Sequence, residues 1–106
     1  MATLTEVDAN EAKALLDSGD AVLVDCREQL EWDNLHIPGA KLVPLSSFDP
    51  AQLPDYTGKT LVLQCQSGAR SGRLGLWLVQ NGYKRVANLK GGIKDWAMAG
   101  LPTKQG

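Results

Sequence analysis

Two short apolar runs, "AVLVD" at Ala21–Asp25 and "KTLVLQ" at Lys59–Gln64, limit the folds open to this chain more than any other feature. Neither alternates apolar with polar residues, so neither suits a strand with one face in water. Both are short and carry β-branched residues, which favours strands over buried helices. A strand covered on both faces belongs to a parallel sheet, whose crossover helices supply the cover.

The segments around these runs read as those helices. Asp8–Gly19 has Asp8 as an N-cap, an apolar stripe of Ala12, Leu15 and Leu16, and Gly19 as a stop. Arg27–Asn34 is a short helix, and Ser71–Gly82 a longer one, capped by Ser71 with Leu74, Trp77 and Leu78 on one face. Gly91–Gly100 is the last. His36–Ala40 ("HIPGA") is a turn, because the residue before a proline is pushed out of helical space. "KLVPL" is a brief strand interrupted by Pro44, residues 46–53 hold a helical turn, and Arg85–Leu89 is a further short strand. Strands alternate with helices, which predicts the α/β class, a mainly parallel sheet and right-handed crossovers. The 106 residues are expected to form one domain over 1–106. A domain of that length buries roughly 60–70% of its unfolded surface without disulfides or a metal.

Composition excludes several functions. The net charge of −1 gives no electrostatic footprint for nucleic acid or an anionic membrane. No stretch approaches the roughly 20 apolar residues of a membrane span. The start, "MATLTEVDANEAK", lacks the basic region and apolar run of a secretory signal, so the expected location is the cytoplasm. Cys26, Cys65 and His36 are scattered rather than set at metal-ligand spacing, and neither a metal nor a cofactor is expected.

Chemistry concentrates in "LQCQSGARSG", Leu63–Gly72. Ligands of open α/β sheets bind beyond the carboxyl ends of the strands, where this pattern puts Cys65. The helix that follows aims its free N–H groups and positive dipole end at the loop. Gly68 lets the loop curve tightly, and backbone N–H groups folded around one point make an anion cradle. A thiol there is shifted toward thiolate, the nucleophilic form. A lone strand-end cysteine also fits a small buried hydrophobe. The pattern Cys-x-x-Gly-x-Arg between an apolar run and a helix favours the nucleophile.

Three blocks resemble one family in its order. "VLVDCREQLEWDNLHIPGA" is similar to a D-x-R-x-x-x-E-[FYW] segment ending in H-I-P-G-A, "CQSGARS" to a C-x-x-G-x-R-S loop, and "LVQNGYKRVANLKGGIKDWAMAGLP" to a closing G-[FY]-x-x-V-x-x-L-x-G-G pattern with a tryptophan. The chain thus resembles a single-domain rhodanese, a thiosulfate or persulfide sulfurtransferase, over nearly its whole length. Leu35 stands where that family usually has glycine. The resemblance implies a three-layer domain with a central, mainly parallel five-stranded sheet flanked by helices. It also implies a persulfide mechanism in which Cys65 takes a sulfane sulfur and passes it to a thiol or to cyanide. The backbone of Gln66, Ser67, Gly68, Ala69 and Arg70 would hold the terminal sulfur, and no base is needed. Related phosphatases use a longer Cys-x5-Arg loop. The four residues between Cys65 and Arg70 fit a sulfur better than a phosphate.

Other roles stay open at this level. Arg70 either binds an anionic donor or turns away to pair with Glu31 or Asp25. Asp25, Arg27 and Glu31 are read as bracing, His36 as a turn residue, and Trp32, Trp77 and Trp96 as core or rim. Gln66 and Ser67 are neutral, which favours a polysulfide or persulfide donor over doubly charged thiosulfate. Cys26 is either an inert buried thiol or a redox partner of Cys65. A sulfur-relay module, active only with an acceptor protein docked, is the alternative to a free enzyme.

Overall fold

β-Branched and leucine-rich segments form five strands in the computed structural model of the chain, which describes residues 3–106. In chain order the elements are β1 (Thr5–Val7), α1 (Ala9–Asp17), β2 (Ala21–Asp25), α2 (Gln29–Asn34), β3 (Lys41–Leu42), β4 (Thr60–Gln64), α3 (Ala69–Gln80), β5 (Val86–Leu89) and α4 (Gly92–Met98). Two 3-10 turns, Leu45–Ser47 and Pro50–Gln52, lie between β3 and β4. The strand order is β1-β5-β4-β2-β3, and every neighbouring pair is parallel. This is the α/β, five-stranded, helix-flanked sheet expected from the sequence.

Each central strand buries both faces, and its two-residue period builds two cores. Leu23 and Val62 point to one side, where Ala12 of α1 and Ile93 and Trp96 of α4 complete the packing. Val24, Leu61 and Leu63 point to the other, against Leu74 and Leu78 of α3. Trp96 is 2% exposed, and its indole N–H donates to the Pro102 carbonyl at 2.7 Å. A side chain of this size, fully buried, contributes about 3 kcal/mol.

The caps explain where the helices begin. Asp8 accepts the Glu11 amide at 2.8 Å, and Glu11 in return accepts the Asp8 amide at 3.0 Å, a reciprocal pair that fixes the start of α1. Helix α3 starts at Ala69, two residues before the expected start, and Gly68 rather than Ser71 precedes it. Gly68 has φ +98°, a left-handed turn that glycine makes without a side-chain cap. Ser71 is fully buried and its hydroxyl is used elsewhere.

The same period places the chemistry. Cys65 continues the register of Leu61 and Leu63, and Cys26 that of Val24, so both thiols face the α3 side. Strands β2 and β4 are paired from Ala21↔Thr60 to Asp25↔Gln64, which leaves Cys26 and Cys65 one residue beyond the last pair. The buried polar residues Asp25, Gln64 and Asn88 occupy the carboxyl ends of β2, β4 and β5. A buried polar group needs a specific partner: the amides of Gln64 and Asn88 donate to carbonyls of the loop after β4, whereas Asp25 pairs with Arg27.

Candidate functional site

The loop from Cys65 to Gly68 is held by its carbonyls. The first N–H groups of a helix have no partner in their own helix. Those of Ile93 and Lys94, in α4, donate to the carbonyls of Cys65 (3.0 Å) and Gln66 (3.1 Å). Gln64 Nε2 also donates to the Cys65 carbonyl at 3.0 Å, and the Gly68 carbonyl accepts from the Gly72 amide at 3.0 Å. With these carbonyls committed outward, loop amides are free to face the sulfur. The Gly68 N–H donates to Cys65 Sγ at 3.1 Å, and Ser71 Oγ lies 3.4 Å from it.

Gly92 makes this packing possible. Its φ is +59°, and a Cβ there would lie 2.5 Å from both the Cys65 and Gln66 carbonyl oxygens. Only glycine lets the start of α4 come this close to the loop.

The electrostatics of the two thiols diverge. Burial pushes the Cys65 thiol up. Hydrogen bonds from the Ser71 hydroxyl, and from the Ser71, Ser67 and Gly68 amides, outweigh burial and hold it below its ordinary value. At Cys26 burial, with the neighbouring Cys65 and Asp25 adding to it, outweighs the Arg70 charge and a single amide and pushes the thiol up to about 12. Both cysteines are free and buried, with Cys65 only 1% exposed. The loop residues that follow it, Gln66, Ser67 and Ala69, are exposed.

Arg70 takes the second of its two expected roles. Its guanidinium forms a two-pronged pair with Glu31, 2.9 Å to Oε2 and 2.7 Å to Oε1, across 39 residues of sequence. Glu31 Oε2 also accepts the Glu28 amide at 2.9 Å, so one carboxylate ties the start of α2 to the start of α3. The Arg70 bonds, partly offset by burial and helped by the Glu28 amide, hold the Glu31 carboxyl down to about 2. Asp25 and Arg27 form a separate buried pair. Arg27 Nη2 lies 2.8 Å from Asp25 Oδ2 and 2.6 Å from the Leu35 carbonyl, and its Nε is 3.0 Å from Asp25 Oδ1. The side chains are 3% and 0% exposed, so the pair fixes the chain leaving β2 beside Cys26.

The remaining aromatic and turn residues also find places. His36 Nδ1 is 3.1 Å from the Trp32 carbonyl, and its ring stacks on Trp32 at 3.9 Å. Trp96 is core, whereas Trp77 is 46% exposed and meets Phe48 edge-on. A cavity of about 410 Å³ opens beside the loop, lined by Arg27, Glu31, Asn34 and Leu35 on one side and by Gln66, Ile93, Lys94 and Ala97 on the other.

Sequence reasoning missed Asn88. Its Oδ1 accepts the Ser71 hydroxyl at 2.6 Å, and its Nδ2 donates to the Gly68 carbonyl at 3.1 Å and to Glu6 at 3.1 and 3.2 Å. The available signal was a polar residue set among apolar ones in "VANL", Val86–Leu89.

Comparison with known proteins identifies the family and fold. The Rhodanese-like domain family model matches residues 8–99. A sulfurtransferase of Allochromatium vinosum is 37% identical over 93% of this chain and 94% of its own length. An uncharacterized protein of Synechocystis is 48% identical over 77% of this chain, which spans about half of that relative, 46% of its length being covered. The crystal structure of a thiosulfate sulfurtransferase from Pseudomonas aeruginosa superposes with a TM-score of 0.82 at 29% identity, covering 97% of this chain and 20% of that one. A five-stranded parallel sheet, a cysteine loop at its carboxyl edge and a family match over most of the sequence lead to one assignment: the chain belongs to the Rhodanese-like domain family.

Proposed function

We propose that this chain, acting as one unit over residues 1–106, moves a sulfane sulfur through a persulfide on Cys65. The observation that carries the reading is the convergence of the Gly68 N–H and the Ser71 hydroxyl on Cys65 Sγ, with the loop carbonyls held outward by α4. Negative charge on sulfur is stabilised there before any substrate arrives. The Cys65 thiolate attacks the outer sulfur of the donor. The donor's S–S bond breaks, and its electron pair leaves with sulfite (from thiosulfate) or with a thiolate (from a persulfide). Cys65 then carries an S–S⁻ group, and the amides of Gln66, Ser67, Gly68, Ala69 and Arg70 line the place for its outer sulfur. An acceptor thiolate or cyanide attacks that outer sulfur and returns Cys65 as thiolate.

The engagement of Arg70 by Glu31 bears on the substrate. A guanidinium whose Nη1 and Nη2 both bond Glu31 has its charge partly neutralised, which weakens any clamp on a tetrahedral dianion and argues against phosphoryl chemistry. With neutral Gln66 and Ser67 at the mouth, the loop suits a persulfide or polysulfide better than doubly charged thiosulfate. Asp25, Arg27 and Glu31 act as braces. The expected location is the cytoplasm; among the described residues no helix is long and apolar enough to cross a membrane.

A second reading, transfer within a complex, is favoured by one observation. Leu30 on α2 and Met98 on α4 are 73% and 77% exposed, on the two helices that flank the cavity beside Gln66. A protein carrying the donor or acceptor cysteine would cover them. The test compares thiosulfate with a small-molecule persulfide as donor to cyanide, reading thiocyanate, in the parent and in Cys65→Ser. Turnover with persulfide exceeding that with thiosulfate, and none in the variant, supports the proposal. Equal turnover in Cys65→Ser overturns it, and single-turnover transfer without steady turnover favours the relay.

A further inference from the structure

The Ser71 hydroxyl has one proton and two acceptors. Asn88 Oδ1 is 2.6 Å away and Cys65 Sγ 3.4 Å away, and all three residues are at most 4% exposed, so water does not compete. The 2.6 Å contact is a short O–H···O bond and the 3.4 Å contact an ordinary reach to sulfur, so the proton is assigned to Asn88 while Cys65 is a neutral thiol. The orientation of the Asn88 amide is dictated by its surroundings. Its other end faces the Glu6 carboxylate and the Gly68 carbonyl, all acceptors, so Nδ2 lies there and Oδ1 faces Ser71. A reversed amide would set oxygen against three oxygens.

We propose that Asn88 is a positioning residue that competes with Cys65 for the Ser71 hydroxyl and so sets how strongly the sulfur's charge is stabilised. This rests on Cys65 acting as the thiolate carrier. While Cys65 is a thiol, Ser71 Oγ–H bonds to Asn88 and the oxygen lone pair faces Sγ. When the thiol proton leaves to solvent, the hydroxyl rotates onto the sulfur and the bond to Asn88 Oδ1 is given up. That leaves a buried carbonyl oxygen unpaired, which disfavours the thiolate. Once a persulfide forms, the charge moves to the outer sulfur, and the hydroxyl returns to Asn88.

The competition has a chemical use. A thiol's nucleophilicity falls as its pKa falls, and the optimum attacking thiol has a pKa near the ambient pH. Unopposed donation from Ser71 would make a stable but sluggish thiolate. Asn88 withholds part of that stabilisation from the resting sulfur and leaves the charge better placed on the outer one.

The other charged and titratable groups near Cys65 are Cys26 beyond β2, with the Asp25–Arg27 pair behind it, Arg70 of α3 locked to Glu31, and Glu6 of β1, whose carboxylate Asn88 Nδ2 holds. Asn88→Ala releases Glu6 and leaves the others in place, and the double variant carries the same release without the Ser71 hydroxyl. The experiment follows thiolate absorbance and the alkylation rate of Cys65 against pH in the parent, Asn88→Ala, Ser71→Ala and the double variant. Neither readout depends on sulfur transfer, so a failure here is separable from a failure of the proposed activity. Asn88→Ala frees the hydroxyl for sulfur and is expected to lower the Cys65 pKa by roughly 0.5–1. Ser71→Ala is expected to raise it by about 1, and adding Asn88→Ala to it should change nothing further. A rise or no change in Asn88→Ala, or an Asn88 effect that persists without the Ser71 hydroxyl, overturns the proposal. Crystal structures of the native protein below and above the thiol midpoint give a second test free of folding effects. The Ser71 Oγ–Sγ distance should shorten and the Oγ–Asn88 Oδ1 distance lengthen at the higher pH. Unchanged distances overturn the competition.

Discussion

Replacing Gly92 by alanine tests whether the start of α4 shapes the cysteine loop. Its φ of +59° costs an L-residue about 1–2 kcal/mol. The added Cβ meets the Cys65 and Gln66 carbonyl oxygens at 2.5 Å and the Gln66 carbonyl carbon at 2.6 Å, all backbone atoms. These carbonyls cannot swing aside without breaking their bonds to the Ile93 and Lys94 amides, each worth about 1 kcal/mol. The total is about 3–4 kcal/mol. Gly39 is an internal control: its φ is +88°, but a Cβ there meets nothing within 4 Å, so Gly39→Ala should cost only the backbone strain, about 1–2 kcal/mol. Urea unfolding of both variants, with the pH profile of Cys65 alkylation, makes the comparison. Gly92→Ala should lose about 2 kcal/mol more than Gly39→Ala, and its Cys65 midpoint should move up toward that of a free thiol as loop amides lose their aim. Equal destabilisation with an unmoved midpoint would refute the idea that α4 sets the loop.

Three further outcomes are expected. Asp25→Ala strands the Arg27 charge in the interior and should destabilise the fold by about 3–5 kcal/mol in denaturant titrations. Glu31→Gln should cost about 0.5–1 kcal/mol at pH 7, because the pair with Arg70 is about one-third exposed and solvent screens it. The Glu31 carboxyl is held down to about 2, so that contribution is full above its ordinary value of about 4.3 and fades as pH falls through 2. Parent and Glu31→Gln stability curves should therefore converge between about pH 4 and pH 2. Cys26, its thiol pushed up to about 12, stays protonated at pH 8. Alkylation of the folded protein should label one thiol, and Cys26→Ser should leave both labelling and sensitivity to oxidation unchanged; formation of a Cys26–Cys65 disulfide on mild oxidation would contradict this.

What the sequence reveals and conceals follows from the range of the forces involved. The runs at 21–25 and 59–64 are legible because burial on both faces leaves a local signature, and the cysteine loop because strand, glycine and helix follow one another directly. Strand β1 is not legible. Its three residues, of which only Val7 is buried, are a strand only because β5 pairs with them from across the chain. The start of α3 was misplaced because serine is a common cap, whereas here a left-handed glycine ends the loop and serine is drawn inward by Asn88. The choice between substrate and Glu31 for Arg70 lies beyond sequence reasoning, since it depends on a contact 39 residues away. Asn88 was hidden for the same reason: its partners lie on β1, on the loop and on α3.

The most direct test of the central claim, that the loop after β4 lets Cys65 carry a transferable sulfur, is the intact mass of the protein after exposure to a persulfide or thiosulfate donor and removal of the excess. The native chain should gain the mass of one sulfur atom, lose it on addition of cyanide or a thiol, and gain nothing as Cys65→Ser. A native chain that stays unmodified, or a Cys65→Ser variant that takes up the same sulfur, would contradict the account.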